Sequence, residues 1–280
     1  MQERESVGFL HGDIPYLRIG HGPPLVSVLG LTPEHDVPTG LQRRMALAFA
    51  TPFAQDFTVL VVNRRRGLRP GQSMSDIAGH LADAIAHDLS EPVFLHGTST
   101  GGSVALQLAV DRPDLVRRLV VVSSACRLGS RGHAMQAEMA RLIRAGEPRA
   151  AWASMMTGML PRPLRRPTGP LVRWAARPMV PADPTDLLVT LDAEDAFDVE
   201  ADLSQITAPT LVVGGRSDAF YSPELFHRTA QGVPDGRAHL FDKWGHARAS
   251  TSTATTHLTL GFMLAGAPAS SPNSPPARPD

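Results

Sequence analysis

Lysine is almost missing from this chain: Lys243 is its only one, and every other cationic side chain apart from histidine is arginine. Cysteine occurs once, at Cys126. One cysteine excludes an intrachain disulfide framework and fits a reducing compartment. No apolar run reaches membrane-spanning length. The charged start, Met1-Gln2-Glu3-Arg4-Glu5-Ser6, has no apolar stretch behind it, so no signal peptide is read. The formal net charge is +0, which argues against a nucleic-acid partner bound through bulk charge. A soluble, cytoplasmic protein without stable membrane insertion is expected. No Cys/His cluster has zinc spacing. No G-x-x-x-x-G-K-[ST] loop or dinucleotide fingerprint is present. No metal and no cofactor are therefore expected. The oligomeric state is not legible.

What is present is core material. Hydrophobic residues make up 42% of 280 positions. Short apolar runs recur at Leu25–Gly30, Phe57–Asn63, Val93–Leu95, Leu119–Ser124, Thr210–Gly215 and Ala238–Phe241. Continuous rather than alternating apolarity is what parallel strands covered on both faces require. A strand pair with a turn at Gly12-Asp13 precedes them. Helical stretches fall between the runs, over about 41–54, 75–89, 103–109 and 222–231, and a last one over 247–264 with Leu258, Phe262 and Leu260 turned inward. Alternating strand and helix predict an α/β fold with a mostly parallel central sheet and helices on both faces.

The alternation breaks between Arg127 and Glu200. Helices are read near 131–145, 147–159, 168–178 and 184–196, punctuated by proline, with no buried strand. This predicts an inserted helical cap at 127–200, between core segments 1–126 and 201–266. The tail 267–280 is rich in Pro, Ser and Ala and is expected to be disordered. Arginine crowds the first part of the cap and Asp and Glu its last part. The two parts pair with each other, or some arginines hold an anionic substrate group or an anionic membrane. Trp152, Met155 and Met159 are candidates for an apolar substrate wall.

Chemistry centres on Gly97-Thr98-Ser99-Thr100-Gly101. Apolar strand, G-x-S-x-G, then helix is the context of a nucleophile elbow. A serine hydroxyl needs a base, and the base needs an orienting group. Asp218 lies just past one buried strand and His246 just past the last. Both, with Ser99, fall at strand carboxyl ends, where ligands gather.

Together with Gly20-His21-Gly22-Pro23-Pro24, the Asn63-Arg64-Arg65-Arg66-Gly67 loop, Ala208-Pro209-Thr210 and Gly245-His246, these pieces make the chain resemble the α/β-hydrolase superfamily over about residues 8–265. The resemblance implies Ser99 as nucleophile, Asp218 as triad acid and His246 as general base. It implies an oxyanion hole built from the backbone N–H groups of Leu31 and Thr100. His35, soon after Gly30, is a candidate for the site mouth. Three positions depart from the common pattern: Leu29 where many relatives have His before Gly, Thr98 where His is frequent, and Thr100 where Met or Gln is frequent. The leading expectation is a serine hydrolase that cleaves an ester or thioester of a small, largely apolar substrate. Acyl transfer, amide or peptide cleavage and C–C bond hydrolysis on the same triad stay open, as does a low-turnover ligand-binding protein. An aminopeptidase would need a cap carboxylate for the substrate amine, and Glu194 and Asp195 are the candidates.

Overall fold

The computed structural model describes residues 5–160 and 162–265. The tail expected to be disordered lies outside the described residues. Strands β1 (Ser6–Leu10) and β2 (Ile14–Gly20) form the expected hairpin, and His11 and Gly12 turn it with positive φ. Six more strands follow: β3 (Pro24–Val28), β4 (Thr58–Val62), β5 (Val93–Thr98), β6 (Val116–Val122), β7 (Thr210–Gly215) and β8 (Gly236–Phe241). All eight form one sheet in the order β1-β2-β4-β3-β5-β6-β7-β8. β2 runs antiparallel to β4, and from β4 to β8 every pairing is parallel.

The continuous apolar runs are explained by two cores. Successive residues of a strand point to opposite faces. Val26, Leu60, Leu95, Val121 and Val212 enter one cluster with α2 (Met74–Asp88), α3 (Thr100–Asp111) and α8 (Pro223–Gly232). Leu25, Val59, Phe94, Val120 and Val213 enter the other with α1 (Gly40–Ala50) and the C-terminal helix. A strand sandwiched this way has no solvent face, so it carries no polar alternation.

Between β6 and β7 the chain runs through α4 (Ser130–Arg144), α5 (Pro148–Met159), α6 (Arg162–Ala175) and α7 (Thr185–Asp195). An antiparallel bridge, Arg127 to Asp198, ties the two ends of this excursion. Helix α6 starts six residues before the sequence reading placed it, and runs through Pro167 and Pro170. Pro163 sits in the first turn, where its missing N–H costs no intrahelical hydrogen bond. The first helix ends at Ala50 and tightens into a 3-10 turn over Thr51–Phe53.

The last expected helix is two: α9 (His246–Thr251) and α10 (Thr253–Leu264). Ser252 breaks it by capping α10, where its side chain accepts from Ala254 N–H at 3.2 Å. Thr255, Thr259 and Met263 take the buried face, while Leu258, Leu260 and Phe262 are half-buried on its flanks.

The strand that leads to Ser99 carries a buried histidine. His96 Nδ1 meets Ser27 Oγ at 2.9 Å, and its ring stacks on Phe49 at 4.6 Å. Burial lowers its pKa from 6.5 to about 3. The folded protein keeps this ring neutral while the unfolded chain protonates it below the ordinary value. Its contribution is therefore full above pH 6.5 and is lost as pH falls toward 3. Between pH 7.5 and 5 the wild type should lose about 2 kcal/mol more unfolding free energy in urea than His96→Gln. Parallel losses in the two proteins would contradict this reading.

Candidate active site

Ser99 is the single residue between β5 and α3, with φ 53 and ψ −128. A non-glycine residue there is strained and must be held. Val122 O accepts the Ser99 N–H at 2.9 Å, and Ser99 O accepts from Gly102 N–H at 2.6 Å. The flanking glycines are a matter of space. A Cβ on Gly97 would run into the Gly101 carbonyl, and one on Gly101 into the Val28 carbonyl. The helix thus begins directly against the strand ends, with the serine side chain forced outward.

Asp218 follows β7 and His246 opens α9. His246 Nε2 is 3.0 Å from Ser99 Oγ. His246 Nδ1 is 2.9 Å from Asp218 Oδ2 and 3.1 Å from Oδ1. Asp218 Oδ1 also accepts backbone N–H bonds from Phe220 at 2.8 Å and Tyr221 at 3.3 Å. A carboxylate so placed only accepts, so Nδ1 carries the imidazole proton and the Nε2 lone pair faces the hydroxyl. The Phe220 and Tyr221 rings flank the imidazole with centroids 4.6 and 6.2 Å away. Three groups from separate loops are thereby aligned for moving a proton off Ser99.

Two backbone donors named from the sequence lie beside this line. Thr100 is the first residue of α3, so helix geometry provides its N–H no intrahelical acceptor. Leu31 follows Gly30, whose backbone runs against Ser99: an added Cβ would stand 3.4 Å from the Ser99 Cβ.

Sequence reasoning did not single out what holds that loop. Arg64, buried, donates to Leu29 O at 3.1 Å, to Gly30 O at 3.1 Å and to Thr32 Oγ1 at 3.0 Å. Its Nε donates to His35 Nε2 at 3.0 Å. Burial pulls the guanidinium pKa down to about 10, while the Glu194 and Asp186 charges act upward. From the sequence, His35 is a candidate for the site mouth. The structure instead buries it at 2% exposure, with Nδ1 donating to Arg65 O at 3.0 Å. Both ring nitrogens are used, and burial beside Arg64 lowers its pKa to about 3.

Glu194, 1% exposed, lies under the start of α3. It accepts from Thr100 Oγ1 at 2.6 Å, Ser103 Oγ at 3.0 Å and Tyr221 OH at 3.5 Å. Burial, then the Glu194 charge, pushes the Tyr221 phenol well above its ordinary pKa. A signal for Glu194 was present in the sequence. Thr100 and Ser103 are spaced i, i+3 on a helix whose other buried residues are apolar or glycine, and buried hydroxyls need acceptors.

In the cap, Trp152 and Met155 are buried and Met159 is half-buried in the same cluster as the sheet face. Trp152 Nε1 is buried and has no hydrogen-bond partner among the described residues. The basic and acidic parts pair, Arg144 with Asp192 at 2.6 Å and Arg127 with Glu200 at 3.1 Å. Asp195 faces outward to His133 at 2.7 Å.

A sheet of this order with a strained serine elbow between β5 and α3 defines the class: the protein is an α/β hydrolase. Comparison with known proteins agrees. Residues 65–249 match the family described as serine aminopeptidase, S33, and the chain belongs to that family. It is 28% identical over 211 residues to "Putative carbamate hydrolase RutD" of Variovorax paradoxus (strain S110), covering 71% of this chain and 75% of that one. It is 30% identical over 174 residues to the 2-hydroxy-6-oxononadienedioate/2-hydroxy-6-oxononatrienedioate hydrolase of a Pseudomonas species, covering 60% and 61%. Among solved structures, MGS-M2, an α/β hydrolase from a Medee basin deep-sea metagenome library, superimposes with TM-score 0.75 at 18% identity, covering 92% of this chain and 97% of that one.

Proposed function

We propose that this α/β hydrolase cleaves an ester or thioester of a small, largely apolar substrate through an acyl-enzyme on Ser99. The observation that carries the reading is the continuous line Ser99 Oγ, His246, Asp218 at 3.0 and 2.9 Å. His246 Nε2 takes the hydroxyl proton as Ser99 Oγ bonds to the substrate carbonyl carbon. The carbonyl oxygen becomes an oxyanion and is met by the Leu31 and Thr100 N–H groups. Collapse breaks the bond to the alkoxide or thiolate, which leaves with the proton from His246. Water, deprotonated by the same nitrogen, then attacks the acyl carbon and releases the acid. Trp152, Met155 and Met159 form the apolar wall, and the indole N–H of Trp152, without a partner among the described residues, offers a donor to a substrate oxygen.

A second reading, hydrolysis of a C–C or carbamate bond, is favoured by the activities for which the relatives are named. Aminopeptidase action has less support. Glu194 is buried and taken up by three hydroxyls, and Asp195 is paired on the surface, so neither is free to hold a substrate amine.

The test has two arms. A fluorophosphonate should label wild-type protein and leave Ser99→Ala unlabelled; folded wild type that resists the probe defeats the serine reading. A panel of p-nitrophenyl esters, acyl thioesters, an aryl carbamate and a 2-hydroxy-6-oxo-dienoate then separates the bond classes. Labelled enzyme that turns over the dienoate or the carbamate but no ester or thioester moves the assignment to the second reading.

A further inference from the structure

Helix α6 presents an unusual outer face. Leu164 is 48% exposed, Leu171 64% and Trp174 61%. They stand at i, i+7 and i+10, one stripe of the helix. The exposed Pro163, Pro167 and Pro170 fill the surface beside this stripe. The exposed Arg166 and Arg173, again i and i+7, lie beyond these prolines, roughly across the helix from the two leucines. Thr168, Val172 and Ala175, half-buried beside the Leu164–Leu171 edge of this stripe, turn inward, and α6 packs against α5.

The charge around this face is of one sign. Residues 162–180 contain Arg162, Arg165, Arg166, Arg173 and Arg177 and no Asp or Glu. Arg149 joins from α5, where its Nε donates to Arg173 O at 2.9 Å. Burial lowers the Arg149 pKa, and the Arg177 and Arg173 charges push it the same way. None of Arg149, Arg166, Arg173 and Arg177 pairs with a carboxylate among the described residues. Elsewhere in the cap arginine does find acid, as at Arg144–Asp192 and Arg127–Glu200. The chain as a whole is neutral, so this is a local surplus.

We propose that the outer face of α6 docks on the surface of an anionic phospholipid bilayer. Apolar side chains with a tryptophan, accompanied by arginine, suit the boundary between acyl chains and headgroups. Arg149, Arg166, Arg173 and Arg177 meet the phosphates, while Leu164, Leu171 and Trp174 enter below them. A second copy of the same face would bring arginine against arginine, which charge opposes. The contact is interfacial, because no described helix is long and apolar enough to cross a membrane. The inference is independent of which bond the enzyme cleaves.

Co-sedimentation of the full chain with vesicles tests it. Vesicles of phosphatidylcholine mixed with phosphatidylglycerol should bind at least ~10-fold more tightly than phosphatidylcholine alone, and raising NaCl should erase the difference. Leu171→Asp should weaken binding to mixed vesicles ~10-fold. The pair Arg173→Glu and Arg177→Glu should abolish the preference for the anionic lipid. Trp emission should shift to the blue on the mixed vesicles, and Trp174→Phe should remove that shift while binding persists. Unchanged circular dichroism and thermal melting keep misfolding apart from lost docking. Absence of binding, equal binding to both vesicles, or undiminished binding by Leu171→Asp overturns the proposal. So does self-association by light scattering that Leu171→Asp dissolves while vesicles go unbound; that result assigns the face to a second copy.

Discussion

Asp218→Asn should lower kcat/KM for the preferred substrate about 10⁴-fold while leaving the fold and its thermal midpoint nearly unchanged. The magnitude follows from which way the new amide must point. Phe220 and Tyr221 N–H both donate to Oδ1, at 2.8 and 3.3 Å. An asparagine satisfies them with its carbonyl oxygen at that position. Its NH₂ then occupies the place of Oδ2, 2.9 Å from His246 Nδ1. Two donors cannot face each other, so the imidazole moves its proton to Nε2. That nitrogen now donates toward Ser99 Oγ instead of accepting from it, and the serine keeps its proton. Steady-state kinetics on the preferred ester, with fluorophosphonate labelling in parallel, measures both consequences. A loss under tenfold would mean that Asp218 does not set the tautomer, and the assignment of the triad acid would fall with it.

The sheet and the Ser99–His246–Asp218 line were legible because each leaves a local mark. Strands such as β4 and β6 are covered on both faces, so apolarity is continuous and easy to see. The elbow needs glycine at 97 and 101 because backbone lies where a Cβ would go. Asp218 and His246 follow strands whose ends are themselves readable.

What escaped were choices that identical residue types conceal. Arg64, Arg65 and Arg66 look alike in sequence. Arg65 pairs with Asp13 and Arg66 with Asp36 at the surface, while Arg64 turns inward to the loop that carries Leu31. Glu194 and Asp195 differ in the same way. One helical step of about 100° separates them, which sends one carboxylate under Thr100 and the other to His133. His35 was misplaced because its distance along the chain from Gly30 says nothing of the Arg64 and Arg65 partners that claim its ring. Helix ends failed where competing local bonds decide them, as at Ser252.

Arg64→Met is the second substitution with a large expected effect, and two readouts should separate what it breaks. The guanidinium is the donor to the carbonyls of Leu29 and Gly30, to Thr32 Oγ1 and to His35 Nε2. Without it the loop loses its shape just before Leu31, and a displaced oxyanion donor costs about 10²–10³ in kcat with little change in KM. The second loss is electrostatic. Arg64 and Glu194 act on each other through buried, low-dielectric surroundings, without being in direct contact. Each holds one side of the proposed oxyanion hole: Arg64 the loop that carries Leu31, Glu194 the Thr100 side chain. Removing Arg64 takes a compensating charge from buried Glu194, and removing Glu194 leaves buried Arg64 with the weaker Asp186 charge, each at a cost of about 3 kcal/mol in urea unfolding. Glu194→Leu should cost a similar amount for the same reason, with the Thr100 and Ser103 hydroxyls also left without their acceptor. The double variant discriminates. With both charges gone, stability should recover well above the sum of the single losses, yet kcat should stay low, because no donor has returned to the Gly30 carbonyl. Strictly additive stability losses would show that the two charges are independent. A kcat for Arg64→Met within threefold of wild type would show that the Leu31 loop keeps its place without Arg64.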